Sequence, residues 1–309
     1  MTTRTTAKPL LAIIAVNFIW GFDFIAIEYM MHYVPPQILT MTRLLIGTAV
    51  LLTSCLIIKG GLHIRREDWL RVFISGVVGM SLYFSVESLG TGLTSASFSS
   101  LIMATVPVFG MIGDRIFFGN KITPLKVVCV LASILGVYLL VSGDSLGINM
   151  LGFGAMIVAA IMWSFYIVYV KPLFDKYDLL TLLTGLFVSG TIAAVPIAIF
   201  TTDPGTINFQ PMGMLVTAVT ALVCIIGGEF GYVYAVGKLS VTTVSIFENV
   251  LPLTTVLFSW LIFGNMISPV QIIGGIIIMV AVTVLALKGE GDGGAETGEP
   301  EALQEEKKC

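Results

Sequence analysis

Charge is the scarcest thing in this sequence. Asp, Glu, Lys and Arg make up 11% of its 309 residues, where a soluble domain carries roughly 25%. So few charges cannot cover a water-exposed surface. With 56% hydrophobic residues and a mean hydropathy of +0.98, the chain reads as a polytopic membrane protein. Histidine is nearly absent too: His32 and His63 both fall in loops, and no HExxH or paired-ligand spacing occurs, so no metal site is expected. There is no Walker A motif, hence no ATP engine, and no Gly-x-Ser-x-Gly; no catalytic residue, cofactor or nucleic-acid partner is expected. Of the four cysteines, Cys55, Cys129 and Cys224 lie in apolar runs and Cys309 is terminal, a spacing that suggests neither disulfides nor a metal. They read as small buried hydrophobes. The first apolar run lacks a cleavable signal pattern and is long enough to span.

What the chain has is apolar runs. Ten are long enough to cross a bilayer as helices, which takes about 20 residues. They lie near 9–30, 36–58, 68–89, 95–117, 124–142, 149–170, 179–200, 212–235, 241–263 and 269–287. Their continuous apolarity, without alternation, excludes a transmembrane barrel. Arg4 and Lys8 precede the first run. Lys59, Arg65, Arg66 and Arg71 surround the second loop, Arg115, Lys121 and Lys126 the fourth, Lys171 and Lys176 the sixth, and Lys238 the eighth; Lys288, Lys307 and Lys308 follow the tenth run. The odd loops carry no Lys or Arg. Because short basic loops stay cytoplasmic, the expected fold is all-α, with ten transmembrane helices and both termini cytoplasmic.

One stretch occurs twice. Ser95 to Pro124 and Ser240 to Pro269 superimpose at a shift of 145 without a gap, matching Pro107 with Pro252, Phe118-Gly119-Asn120 with Phe263-Gly264-Asn265, and Pro124 with Pro269. Trp20-Gly21 is echoed by Trp163-Ser164 at a shift of 143. The chain is therefore expected to divide into a first five-span repeat over 8–142, a second over 149–288 and a disordered acidic tail over 289–309. Five is odd, so the second repeat runs inverted through the membrane. Inverted repeats are a hallmark of secondary transporters that bind substrate near the midplane.

Charges at membrane depth usually face a bundle interior or a wet cavity. Asp23, Arg43, Glu229 and Glu248 are the deep ones; Glu28, Glu87 and Asp114 lie nearer span ends, where an interfacial position also suits them. Asp23 and Arg43 are candidates for an ion pair, structural or substrate-binding. Glu229 sits in a Gly-Gly-Glu-Phe-Gly run with Tyr232 on its face, and the glycines admit either a ligand or a packed helix. Tyr83 and Glu87 share a face at i, i+4. A carboxylate among aromatic rings suits an ammonium group and can alternatively exchange protons. Pro107 and Pro252, inside spans, are candidate hinges; Phe247, Glu248 and Asn249 stand close before Pro252. Trp20, Trp163 and Tyr166 are placed on a cavity wall.

These residues together, Phe18-Ile19-Trp20-Gly21-Phe22-Asp23-Phe24, Thr42-Arg43-Leu44-Leu45 and the twice-used Pro…Phe-Gly-Asn…Pro stretch, resemble the EamA-type branch of the drug/metabolite transporter superfamily over about 8–288. Members typically carry WGxN or WGxS early in the first span, where this chain has Asp23, and Gly-Glu where it has Asn120 and Asn265. The resemblance implies a central cavity lined largely by spans 3, 4, 8 and 9, and export of small metabolites such as amino acids or amines. The expectation is thus a multi-pass transporter of the cell inner membrane, monomeric or homodimeric, working by alternating access. An amino acid is the first candidate substrate and a quaternary or protonated amine the second, with protons as a coupling ion; a non-transporting scaffold or receptor is the alternative of another class.

Overall fold

The computed structural model describes residues 3–118, 124–142, 149–208, 210–236, 238, 247, 250–264 and 268–289. Every regular element among them is helical. In chain order these are α1 (Thr3–Met30), α2 (Pro36–Lys59), α3 (Trp69–Leu93), α4 (Ala96–Met103), α5 (Val106–Phe118), α6 (Pro124–Ser142), α7 (Met150–Phe174), α8 (Leu179–Thr201), α9, α10 (Val250–Phe263) and α11 (Pro269–Gly289). Helix α9 runs from Pro211–Val219 through Thr220–Gly227 into Gly228–Val236. Six helices (α1, α2, α3, α7, α8 and α9) are long and apolar enough to cross a bilayer, and α4, α6, α10 and α11 contribute shorter apolar stretches. The expected tail, from residue 290 on, lies outside the described residues.

Helix ends follow local chemistry. Pro36, Pro124, Pro211 and Pro269 each open a helix, where the missing N–H has no intrahelical partner to lose. Asn149 and Asp178 cap α7 and α8 by accepting from first-turn amides. Helix α2 stops at Gly60, whose φ of 72° is left-handed.

Two departures from regular helix matter for the interior. Helix α3 is π-helical over Val77–Leu82 and α9 over Thr220–Gly227. Both segments end at positions 145 apart, the same shift that relates the repeated stretches. The fourth apolar run, expected as one span kinked at Pro107, is instead broken: α4 ends at Met103 and α5 begins at Val106. Pro107 sits in the first turn of α5, where proline fits without distortion. Pro252 likewise lies in the first turn of α10.

The packing is symmetric about the repeat. Helix α1 lies against α9 and α10 as α7 lies against α3 and α5, while α2 pairs with α8 and α6 with α11. Every pairing joins one half of the chain to the other. The outward faces are apolar, with Phe200 85% exposed and Ile57 78%. Buried positions hold Asp23, Arg43, Glu87 and Glu229 alongside many serines and threonines. A polar interior beneath an apolar exterior is stable in lipid and would not be in water.

Candidate functional site

A cavity lies at the α4–α5 break, with Tyr83 and Glu229, which follow the two π-helical segments, in its wall. Helix α1 contributes Trp20, Asp23 and Phe24; α3 contributes Tyr83, Phe84 and Glu87. The break supplies Met103, Ala104 and Val106, and the second half supplies Trp163, Glu229, Leu251 and Pro252. Water-sized molecules can centre themselves over about 60 Å³, space for about four of them.

Its walls are aromatic. Trp163 stands in the middle of a ring cluster, 4.7 Å from Tyr83, 5.0 Å from Tyr166 and 6.0 Å from Trp20 between centroids. Tyr232 closes the group, 5.3 Å from Trp20. The two tryptophans that echo each other in sequence thus meet edge to face. Trp20 Nε1 donates to the Cys224 carbonyl at 3.2 Å, which seats α1 on the π-helical part of α9. Ser164, next to Trp163, donates to the Val106 carbonyl at 2.9 Å and so satisfies a backbone group at the α4–α5 break. A Cβ at Gly228 would collide with Trp20, and one at Gly231 with Val16. These glycines therefore let α1 and α9 approach closely, which resolves the Gly-Gly-Glu-Phe-Gly run as a packing seam that happens to carry a carboxylate.

Four charged groups divide by their partners. Arg43 Nη2 donates to both carboxylate oxygens of Asp23, one of them at 2.6 Å, and both residues are buried. That pair balances itself, as buried charges must. Glu87 accepts from the Tyr83 hydroxyl at 2.7 Å through one oxygen, and its other oxygen has no partner. Glu229 is 1% exposed, and neither of its oxygens has a hydrogen-bond partner among the described residues. The Tyr166 hydroxyl is also buried without one.

Of the residues singled out from sequence, Trp20, Asp23, Tyr83, Glu87, Trp163, Glu229 and Pro252 line the cavity, and Tyr166 and Tyr232 stand in its ring cluster. Arg43 lies behind Asp23, off the wall. Phe247 packs on the core. Glu248 and Asn249 lie outside the described residues, as do the side chains of Pro107 and Asp114. Glu28 has a separate role: its Oε2 accepts from the Ala96 N–H at 2.7 Å and caps α4, with its charge at the positive end of that helix. Phe24, Phe84, Met103 and Leu251 line the cavity unannounced, because an apolar residue in an apolar run gives no signal; the repeat shift of 145 alone pairs Val106 of the break with Leu251.

A bundle of apolar helices with a polar hollow among them suits a membrane transporter. The EamA-like transporter family model matches the chain twice, over residues 7–142 and 150–287. The chain belongs to this family and is a multi-pass membrane protein. It is 25% identical over 274 residues to an uncharacterized transporter of Archaeoglobus fulgidus, covering 87% of this chain and 95% of that one. It is 25% identical over 281 residues to the uncharacterized transporter YdfC of Bacillus subtilis, covering 87% and 88%. A probable terminal-alkyne amino-acid exporter of Streptantibioticus cattleyicolor is 22% identical over 286 residues, covering 90% and 93%. A crystal structure superimposes with a TM-score of 0.66 at 18% identity, covering 91% of this chain and 97% of that one, a likeness of fold.

Proposed function

We propose that this protein carries a small metabolite bearing a protonated or quaternary nitrogen across the cell inner membrane by alternating access. One observation supports this above the others. Glu229 is buried at the centre with both oxygens unpartnered, beside rings whose faces attract cations. A buried carboxylate left without a partner is costly, so a site of this kind is completed by what binds there. A polar cavity enclosed by both halves of the chain suits a transport path. In this reading ten spans form two inverted halves with both termini in the cytoplasm, because the basic loops alternate with neutral ones. The substrate site comprises Glu229, Glu87 and the rings of Trp20, Tyr83, Trp163 and Tyr232.

Two substrates share the required nitrogen. An amino acid is supported by the name of the Streptantibioticus relative, and an amine by the acidity of the cavity. The test is flux into proteoliposomes across a panel of amino acids and amines, with Glu229→Gln alongside. At least one such compound is expected to move, and the variant is expected to move it at least about tenfold more slowly, the loss of roughly one charge-assisted contact. A variant with unchanged flux would remove Glu229 from the path.

A further inference from the structure

Resting on the reading of this cavity as the transport site, we infer that it selects carboxylate-free organic cations, protonated or quaternary amines, over zwitterionic amino acids. Asp23, Glu87 and Glu229 line the cavity, and no Lys, Arg or His does among the described residues. The one buried cation among the described residues, Arg43, is turned toward Asp23 and bonded to both of its oxygens. The Arg43 Nε is buried without a partner, but Arg43 does not line the cavity and Asp23 does, so a substrate carboxylate there meets the Asp23 carboxylate ahead of the guanidinium.

The neutral donors do not make good the deficit. The Tyr83 hydroxyl is committed to Glu87 and the Trp20 indole N–H to the Cys224 carbonyl. What remains among the described residues are neutral donors such as the Tyr166 hydroxyl and the Trp163 indole N–H, and neutral donors cannot offset an anion placed near Glu229 and Glu87. The rings act in the same sense, since an aromatic face attracts a cation and repels an anion. An ammonium group meets the opposite inventory: both Glu229 oxygens, the free oxygen of Glu87, and the rings of Trp20, Trp163 and Tyr83 in the cavity wall. The site thus supplies everything an amine needs and half of what an amino acid needs.

The test uses compounds matched in side chain and differing in the carboxylate: phenylalanine, its methyl ester and phenethylamine, titrated into the purified full-length protein by calorimetry and followed as flux into proteoliposomes. The ester and the amine are expected to bind at least about tenfold more tightly than phenylalanine, and Glu229→Gln to abolish that preference. These comparisons are made on the unaltered chain, so they stand even if the variant fails to fold. Phenylalanine binding as tightly as its ester overturns the inference. If phenylalanine crosses and the amines do not, the inference fails while the transport reading survives. If nothing in a broad metabolite panel crosses, the transport reading fails and takes the inference with it.

Discussion

At both ends of the bundle equivalent loops of the two repeats meet, and they meet through different chemistry. At the basic end, the loop between α2 and α3 meets the loop between α7 and α8. Lys176 Nζ donates to Asp68 at 2.8 Å, the Tyr177 hydroxyl donates to the other Asp68 oxygen at 2.7 Å, and the Arg65 N–H donates to that hydroxyl at 3.1 Å. At the neutral end, the loop before α9 meets the loop after α1, and the Asn208 N–H donates to the Tyr33 carbonyl at 2.9 Å. Arg65 and Asn208 are 143 positions apart, and Tyr33 and Tyr177 are 144. A backbone amide thus reaches the same tyrosine position at both ends. Beside the neutral contact packs an apolar cluster of Ile27, Met30, Val34, Ile38 and Leu39 with their partly buried neighbours Tyr29, Tyr33 and Ile207. Duplication has kept the place of each closure while its chemistry diverged. Salt is therefore expected to act more on the Asp68 cluster than on the neutral contact between Asn208 and Tyr33.

The largest effect is expected at the neutral end. Leu39 is fully buried in its apolar cluster, so Leu39→Ala should cost about 2–5 kcal/mol, read as a fall in melting temperature in detergent. The fall should be the same at low and high salt. A loss that shrank with salt would mean that charges contribute there too. Next in size is Asp68→Ala, which strips Lys176 and Tyr177 of their shared acceptor. Cys55 is buried just inside this end and its thiol donates to the Gly61 carbonyl at 3.3 Å, so it serves as a native reporter. In a chain whose other cysteines are serine, maleimide labelling of Cys55 should quicken several-fold. No change in that rate would show that the basic cluster holds nothing shut.

The same carboxylate gives the pH test. The hydrogen bonds from Lys176 and Tyr177 hold Asp68 below the usual carboxylate range. A group depressed in this way contributes stability that is fully present above its unfolded value, near pH 4, and is lost as pH falls through the folded value. The melting difference between the parent chain and Asp68→Asn should accordingly stay constant from pH 8 to about 5 and shrink only in stronger acid. A difference that changed between pH 6 and 8 would assign the effect to some other group.

Much of this asymmetry was half legible. The repeat shift, the helix-opening prolines Pro124 and Pro269, and the i, i+4 pairing of Tyr83 with Glu87 could be read directly, because each rests on local spacing. Asp23 with Arg43 followed from depth in the bilayer, where an unmatched charge is improbable. The π-helical segments could not be read, since extra backbone turns leave no residue signature. Nor could the capping of α4 by Glu28 or the hold of Tyr177 on Asp68. Both join residues far apart in sequence through side chains that look like ordinary interfacial or loop residues. Glu87, which its position allowed to be interfacial, is drawn into the cavity because the π-helical segment before it re-aims that part of α3.

The smallest effect is the finest probe of the comparison. Lys59 Nζ lies 3.4 Å from Asp178 at the basic end, with the two side chains 40% and 46% exposed. An exposed pair like this is worth at most about 1 kcal/mol and is screened by salt, so Lys59→Ala should barely move the melting temperature. Asp178→Ala should move it further, because Asp178 also accepts from the Thr181 N–H and hydroxyl and caps α8, a contact worth about 0.5–2 kcal/mol. The double variant then isolates the ion pair from the cap. If its loss equals the sum of the single losses, Lys59 and Asp178 are neighbours without coupling, and the ionic character of this end rests on Asp68 alone. If coupling appears at low salt and vanishes at high salt, the whole rim of the basic end acts electrostatically, and the contrast with the neutral end extends from one residue to the entire closure.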